Sequence, residues 1–232
     1  MLAIAGSGLS QKCKDTLSSL GAEIWILEDN PNLEARVAHH ADLSVLPLGD
    51  VLFTHKDTLS NRLISEAEQR GYEIRVIPEK LQKDYPNDIL LNCLVVGKYI
   101  FARVGKVSKA VIEYATENGY TVINVNQGYA RCTACPVSDN AVITADSSIK
   151  KAALSQGLDV LEICEGHVEL NGFPYGFMGG ACGVCGDKLL FAGDLKRHPD
   201  GERIAGFCKR HGITALSLSD ENLCDVGSIF FI

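Results

Sequence analysis

At 232 residues the chain is long enough to bury a substantial core, as one domain or two small ones. Its content of 46% hydrophobic and 22% charged residues excludes a disordered chain, and a formal charge of −7 argues against a nucleic-acid backbone as partner. No apolar run approaches the roughly 18 residues of a membrane helix, so a membrane partner is not expected. Met1 to Ala5 is too short for a signal peptide and lacks a basic flank. Nine cysteines in such a chain point to reduced thiols, metal ligands or a reactive thiol before a disulfide framework, and to the cytoplasm as the expected compartment.

The chain opens with a short apolar strand, Leu2–Ala5, then a helix from Ser10 with Cys13, Leu17 and Leu20 at helical spacing. Gly21 ends that helix and a strand runs to Leu27. Residues 42–54 read as two strands around Gly49-Asp50, and a helix after Ser60 leads to Gly71 and a strand ending at Ile77. The same order returns in 88–102, turning at Gly97-Lys98, with a helix from Ser108, then Gly119 and a strand to Val125. It returns again in 131–145, turning at Ser138-Asp139-Asn140, with a helix over Ser147–Gln156, then Gly157 and a strand to Ile163. A fourth copy runs through 179–192, turning at Gly186-Asp187, and ends in the strand from Gly212 to Leu218. Residues 225–232 supply the missing first strand of the opening copy. Ser60, Ser108 and Ser147 are the expected helix N-caps.

Five copies of strand–strand–helix–strand, one split between the two ends, predict an α/β fold of a particular kind. It is a five-bladed α/β propeller of ββαβ repeats around a pseudo-fivefold axis, closed by pairing of the N- and C-terminal strands. As one domain over 1–232, its blades are approximately 42–77, 88–125, 131–163, 179–218, and 225–232 with 1–27.

This grammar, with Gln127-Gly-Tyr-Ala-Arg-Cys132, Gly179-Gly180 and Asp225-Val-Gly-Ser-Ile, resembles a bacterial branch of the pentein, or guanidino-group modifying enzyme, fold. The resemblance implies a cysteine near the C-terminus that attacks a guanidinium carbon, a histidine that relays protons, and carboxylates that grip the cation. The family cysteine falls near Gly227 and the family histidine near Phe177, and neither position carries that residue here. The expectation is therefore a relative that binds or hydrolyses a small cationic, arginine-like ligand in the axial channel with an altered or lost activity.

Aligning the copies on Thr54, Ala102, Ala145 and Ala192 puts Ser44, Asn92, Cys135, Cys182 and Gly227 in one phase, expected to face the axis. Asp42 and Asp225 share another phase. Cys182 and Cys135, expected to approach each other near the axis, are candidate nucleophiles, or small buried residues where strands crowd. Asp42, Asp225, Asn92 and Ser44 are candidate ligand-binding residues, or strand-end caps. No cofactor is required by this reading. The alternative is a binding or structural module in which Cys132, Cys135, Cys182 and Cys185, as two Cys-x-x-Cys pairs, hold zinc. The gap between the pairs is longer than zinc sites usually use, and the pairs are offset in the repeat.

Two further patterns are weaker. Gly6-Ser7-Gly8 with Glu28 downstream imitates a dinucleotide fingerprint, but Gln11 stands where the third glycine belongs. His39, His40 and His198 read as solvated surface, and His167 with Glu169 as a same-face pair.

Overall fold

The computed structural model describes Met1–Ile232. The first unit holds β1 (Leu2–Ala5), α1 (Gln11–Ser19) and β2 (Glu23–Ile26). The second holds β3 (Val45–Leu48), β4 (Val51–Thr54), α2 (Asn61–Glu68) and β5 (Glu73–Val76). The third holds β6 (Leu94–Val96), β7 (Tyr99–Ala102), α3 (Lys109–Glu117) and β8 (Thr121–Asn124). A single helical turn, α4 (Ala130–Thr133), leads into β9 (Ala134–Ser138), β10 (Ala141–Thr144), α5 (Ser147–Ser155) and β11 (Asp159–Glu162). The fifth holds β12 (Cys182–Cys185), β13 (Lys188–Phe191), α6 (Gly201–Arg210) and β14 (Thr214–Ser217), and β15 (Phe230–Phe231) ends the chain.

These strands form five separate three-stranded sheets, ordered β15-β1-β2, β3-β4-β5, β6-β7-β8, β9-β10-β11 and β12-β13-β14. In each, the middle strand runs antiparallel to the first and parallel to the third, which the helix connection permits. No sheet closes on itself. What joins the two ends is the pairing of Ala3 with Phe231 and Ile4 with Phe230, so the split unit is completed as one sheet.

The glycines explain why the units are alike. Gly21, Gly71, Gly119, Gly157 and Gly212 have φ between +73° and +82°, and a Cβ on any of them would touch nothing. They are there for the left-handed turn within the three or four residues between each helix and its strand, which starts two residues after the glycine, and not for packing. The middle strands β1, β4 and β10 are buried along their whole length, and the third strands show mainly half-buried centres. That is why the middle strands read as unbroken apolar runs. No helix is long and apolar enough to cross a membrane.

Several local expectations need correction. Asp146, not Ser147, caps α5, accepting from the N–H groups of Ser148 and Ile149, whereas Ser60 caps α2 as expected. Ser108 precedes α3, but its hydroxyl donates to Glu79 at 2.7 Å. The register also differs. Thr54 faces Val45, Thr144 faces Ala134 and Phe191 faces Cys182, so the fourth and fifth units align on Thr144 and Phe191, one residue before Ala145 and Ala192. A bulge at Ala141/Val142, after a turn without glycine, displaces the fourth unit. A slip of one residue reverses the face of every side chain, so Cys182 leaves the phase of Ser44 and Asn92, whereas Cys135, opposite Ile143 as Leu46 is opposite Phe53, keeps it because the bulge restores the count. Gly6 and Gly8 make room for the His39 backbone and ring, where a Cβ would come within 1.7 Å and 2.7 Å respectively. Self-packing accounts for the pseudo-fingerprint.

Candidate functional site

The connections that enter the first strands of the sheets bring their polar residues to one place. His40 and Asp42 come from the 3₁₀ turn before β3, Asn92 from the segment before β6, and Cys132 from α4. Gly179-Gly180 precedes β12, and Asp225 and Ser228 precede β15. His40, Asp42, Asn92, Cys132, Asp225 and Ser228 are all buried.

Their bonding is specific. The Cys132 thiol donates to Asp42 Oδ2 at 3.0 Å, and the Ser228 hydroxyl donates to the same oxygen at 2.6 Å. Asn92 sits across from them, its Nδ2 3.2 Å from Cys132 Sγ and its Oδ1 accepting from the Arg131 N–H at 2.8 Å. Asp225 accepts from the backbone N–H groups of Phe177 at 2.9 Å and Gly227 at 3.1 Å. Its Oδ1 lies 3.7 Å from His40 Nε2. Ser228 holds φ at +68°, a conformation that costs a residue with a side chain and that recurs at functional sites.

Glycines clear the space. A Cβ on Gly227 would stand 2.3 Å from His40 Cα, and one on Gly176 2.5 Å from Asp225 Cβ. The sequence thus removes side chains where the imidazole and the carboxylate must sit.

Three buried polar atoms here have no hydrogen-bond partner: His40 Nε2, Asp42 Oδ1 and Asp88 Oδ1. Leaving such an atom dry costs about 1–3 kcal/mol, so each calls for a partner that the protein's own groups do not supply. His40, Asp88, Cys132 and Asp225 line a cavity of about 350 Å³, whose walls include Tyr85, Tyr129, Phe173, Tyr175 and Phe177. Charged side chains of both signs, Glu34, Arg36, Lys83 and Asp84, are also in its lining.

The electrostatics follow from burial and from the carboxylates. Desolvation takes the His40 imidazole down to about 4, so it is neutral at neutral pH. Desolvation raises Asp225 to about 6 against the opposing pull of its two backbone donors. The Cys132 thiol is held well above the ordinary thiol range, first by burial and then by the fields of Asp42 and Asp225. At rest, therefore, the sulfur keeps its proton. The donor atoms of His40, Asp42 and Cys132 also lie within 4.8 Å of one another, a thiol–imidazole–carboxylate set that suits zinc.

Of the residues singled out from sequence, Asp42, Asp225 and Asn92 meet in this cluster. Ser44 is buried at the start of β3, where its carbonyl accepts from the Thr54 hydroxyl at 3.1 Å, and it does not line the cavity. Cys135 and Cys182 are elsewhere, fully buried with their sulfurs 3.0 Å apart. Cys185 Sγ lies 2.6 Å from Met1 Sδ. The four cysteines of the two Cys-x-x-Cys pairs are thus in three places, and the zinc arrangement expected of them does not form. His40 and His198 are buried, not solvated. His167 packs edge-on to His198 while Glu169 accepts from Asn222, so those two do not act as a pair. The residues that sequence reasoning passed over are His40 and the thiol of Cys132 as a site in its own right. The available signal was His40-x-Asp42, two chemical side chains at the entry to a first strand.

Comparison with solved structures defines the fold. The chain superposes over 94% of its length on DDAH from Pseudomonas aeruginosa, a mutant complexed with citrulline, covering 92% of that chain at 13% identity and a TM-score of 0.58. SxtG, an amidinotransferase from Microseira wollei in the saxitoxin biosynthetic pathway, matches 97% of this chain and 93% of its own at 11% identity and a TM-score of 0.58. Inosamine-phosphate amidinotransferase StrB1 from Streptomyces griseus matches 95% and 88% at 13% identity and a TM-score of 0.50. These are pentein-superfamily proteins, and the fold of this chain is the pentein fold. No curated protein matches the sequence. The model of a family of unknown function, DUF6873, matches residues 4–230, and the chain belongs to that family.

Proposed function

We propose that the five units stand as the blades of an α/β propeller and that the cavity at their meeting point binds a small guanidino- or amidino-type cation. Cys132 is the sulfur that faces the cation's central carbon. The observation that carries this reading is the cavity wall, where His40 Nε2 and Asp88 Oδ1 have no partner in the protein and Asp225 Oδ1 lies 3.7 Å from His40, with Asp42 Oδ1 unpaired in the adjoining cluster. A planar cation with several N–H donors satisfies such a set, and aromatic walls suit its faces.

The chemistry that follows is thiol-based. A bound cation offsets the carboxylate fields that keep the Cys132 proton in place. The thiol proton passes to neutral His40, the S–C bond forms, and a C–N bond breaks as the amine leaves with that proton. Water then cleaves the S–C bond and restores the thiol, giving net hydrolysis. The fold relatives named for amidinotransferase activity make a guanidino carbon the natural first substrate to test.

The test is calorimetric binding of arginine, agmatine and benzamidine in the presence of a chelator, with amine or ammonia release measured in parallel. Binding that is lost in Asp225→Asn, and release that is lost in Cys132→Ala, are expected. Absence of binding by every cation in the panel sinks the reading.

A second reading rests on the proximity of the His40, Asp42 and Cys132 donors, which suits a zinc ion with its open position toward the cavity. Stoichiometric zinc in the purified protein, lost in Cys132→Ser, is its signature.

A further inference from the structure

Cys135 and Cys182 are not used by the site, and their arrangement is not that of two inert core residues. Cys135 lies on β9 and Cys182 on β12, strands of two different sheets that share no strand pairing. Their sulfurs are 3.0 Å apart, closer than two thiols that merely fill space. Both are fully buried. Cys182 Sγ also lies 3.4 Å from the Gly179 carbonyl.

Arg131 stands beside them, and its own position is unusual. It is buried and pairs with no carboxylate. Its guanidinium donates instead to the carbonyls of Gly179 at 2.8 Å and Cys182 at 3.0 Å. A buried cation held by carbonyl dipoles and the Phe230 ring favours a negative charge nearby, and Cys182 is within its reach to supply one. Burial works against ionisation of Cys182, but the Cys135 thiol and the guanidinium outweigh it and bring its pKa below the ordinary thiol range. The partner sulfur, Cys135, moves the other way. One sulfur is thus disposed to act as nucleophile and the other is in place to resolve.

We infer that Cys135 and Cys182 are a redox modification site, a dithiol that a small hydroperoxide converts to a disulfide joining β9 to β12. The Cys182 thiolate attacks one peroxide oxygen, the O–O bond breaks, and hydroxide leaves to be protonated to water, giving a sulfenic acid. Cys135 sulfur then attacks the Cys182 sulfur, the S–O bond breaks, and a second water leaves with the Cys135 proton. Two electrons pass from the two thiols to one peroxide. Because both residues are buried, the oxidant must be close to water in size, which separates hydrogen peroxide from bulkier disulfide reagents.

The consequence reaches the neighbouring cavity. Cys135, on β9, is three residues along the chain from Cys132, and the Gly180 N–H donates to the Cys132 carbonyl at 2.7 Å. A covalent link between β9 and β12 ties together the two segments that present Cys132 and Gly180. The inference stands on the thiol geometry and the neighbouring Arg131 guanidinium and does not depend on any ligand of the cavity.

The experiment treats reduced, purified full-length protein with a few equivalents of hydrogen peroxide, quenches, unfolds and alkylates, and maps peptides by mass spectrometry. A cross-linked peptide pair containing Cys135 and Cys182, 2 Da lighter than the sum of its thiol forms, is expected, reversible with dithiothreitol. Thermal unfolding of the oxidised protein should rise by roughly 5–10 °C, since the bridge closes a long loop. Cys135→Ser and Cys182→Ser should each abolish both changes. Recovery of Cys135 and Cys182 as alkylated thiols after exposed Cys164 has been oxidised overturns the inference. So does an internal disulfide joining Cys135 to Cys132 within one peptide, in place of the bond to Cys182. Because the mapping is made on the wild-type chain, a variant that fails to fold does not obscure the result.

Discussion

A Cβ placed on Gly180 would stand 1.9 Å from Asp225 Oδ1. The carboxylate therefore occupies the volume that any other residue at position 180 would take, and Asp225 is buried only because residue 180 has no side chain. Gly180→Ala should push the carboxylate off its two backbone donors. We expect a loss of about 2–3 kcal/mol in stability, from overpacking together with a poorly satisfied buried acid. Cation affinity should fall at least tenfold. Denaturant melts and calorimetry of the one variant check both.

The pH dependence of stability should show two opposed contributions over one window. His40 falls from 6.5 to about 4 on folding, so the native state binds fewer protons there and stability is lost as pH drops through this range. Asp225 rises from 3.8 to about 6, so its contribution is present at low pH and is lost as pH climbs through the same range. Each is worth on the order of 2–3 kcal/mol, and they nearly cancel. His55, also lowered to about 4, leaves wild-type stability rising with pH. Asp225→Asn removes the opposing slope, so its unfolding free energy should depend more steeply on pH between about 4 and 6.5. His40→Gln should flatten it. A wild-type slope unchanged in both variants contradicts the burial of this pair as charge-sensitive groups.

Cys132 should discriminate between alkylating agents by their charge. A buried thiol beside Asp42 and Asp225 is a poor target for neutral iodoacetamide near neutral pH. A haloacetamidine carries the positive charge that those carboxylates favour. It should label Cys132 more than tenfold faster than the corresponding amide, and the preference should disappear in Asp225→Asn. Peptide mapping of the labelled cysteine decides the matter. Faster labelling of exposed Cys164 by both reagents alike is the opposite outcome.

Ser228 combines a left-handed backbone with a short bond to Asp42 Oδ2. Ser228→Ala keeps the backbone cost and discards the bond, whereas Ser228→Gly discards both. The alanine variant should therefore be the less stable of the two by about 1 kcal/mol, and both less stable than wild type. Thermal melts of the pair give the order directly.

Much of the fold was legible because its grammar is written in glycine. Five glycines at the same distance before five strands need no structure to be noticed, and the left-handed φ they share is the physical cause. The register was less legible. Counting from the turn glycines Gly49, Gly97 and Gly186, all with φ between +53° and +61°, gives the observed alignment of Thr54, Ala102 and Phe191. Counting on small residues at the strand ends does not. The candidate site was half legible. Asp42, Asp225 and Asn92 carry the marks of chemistry in sequence, being polar residues at the entry to apolar strands. His40 does not, because a paired histidine in a polar loop looks solvated until Gly227 is seen to leave room for it. Cys132 was obscured by its own Cys-x-x-Cys spacing, which suggests a shared ligand where the two sulfurs in fact serve different neighbours.

Asp42 and Ser228 touch across 186 positions of chain. During synthesis the turn that carries His40 and Asp42 emerges early and waits, its acid and imidazole lacking the segment that will cover them. Until residues 225–228 arrive the cluster lacks the Asp225 carboxylate and the Ser228 hydroxyl, and Asp42 Oδ2 has only the Cys132 thiol to bond. The cation site proposed for this cluster would therefore be complete only after residue 228 has emerged, whatever the earlier units have already formed.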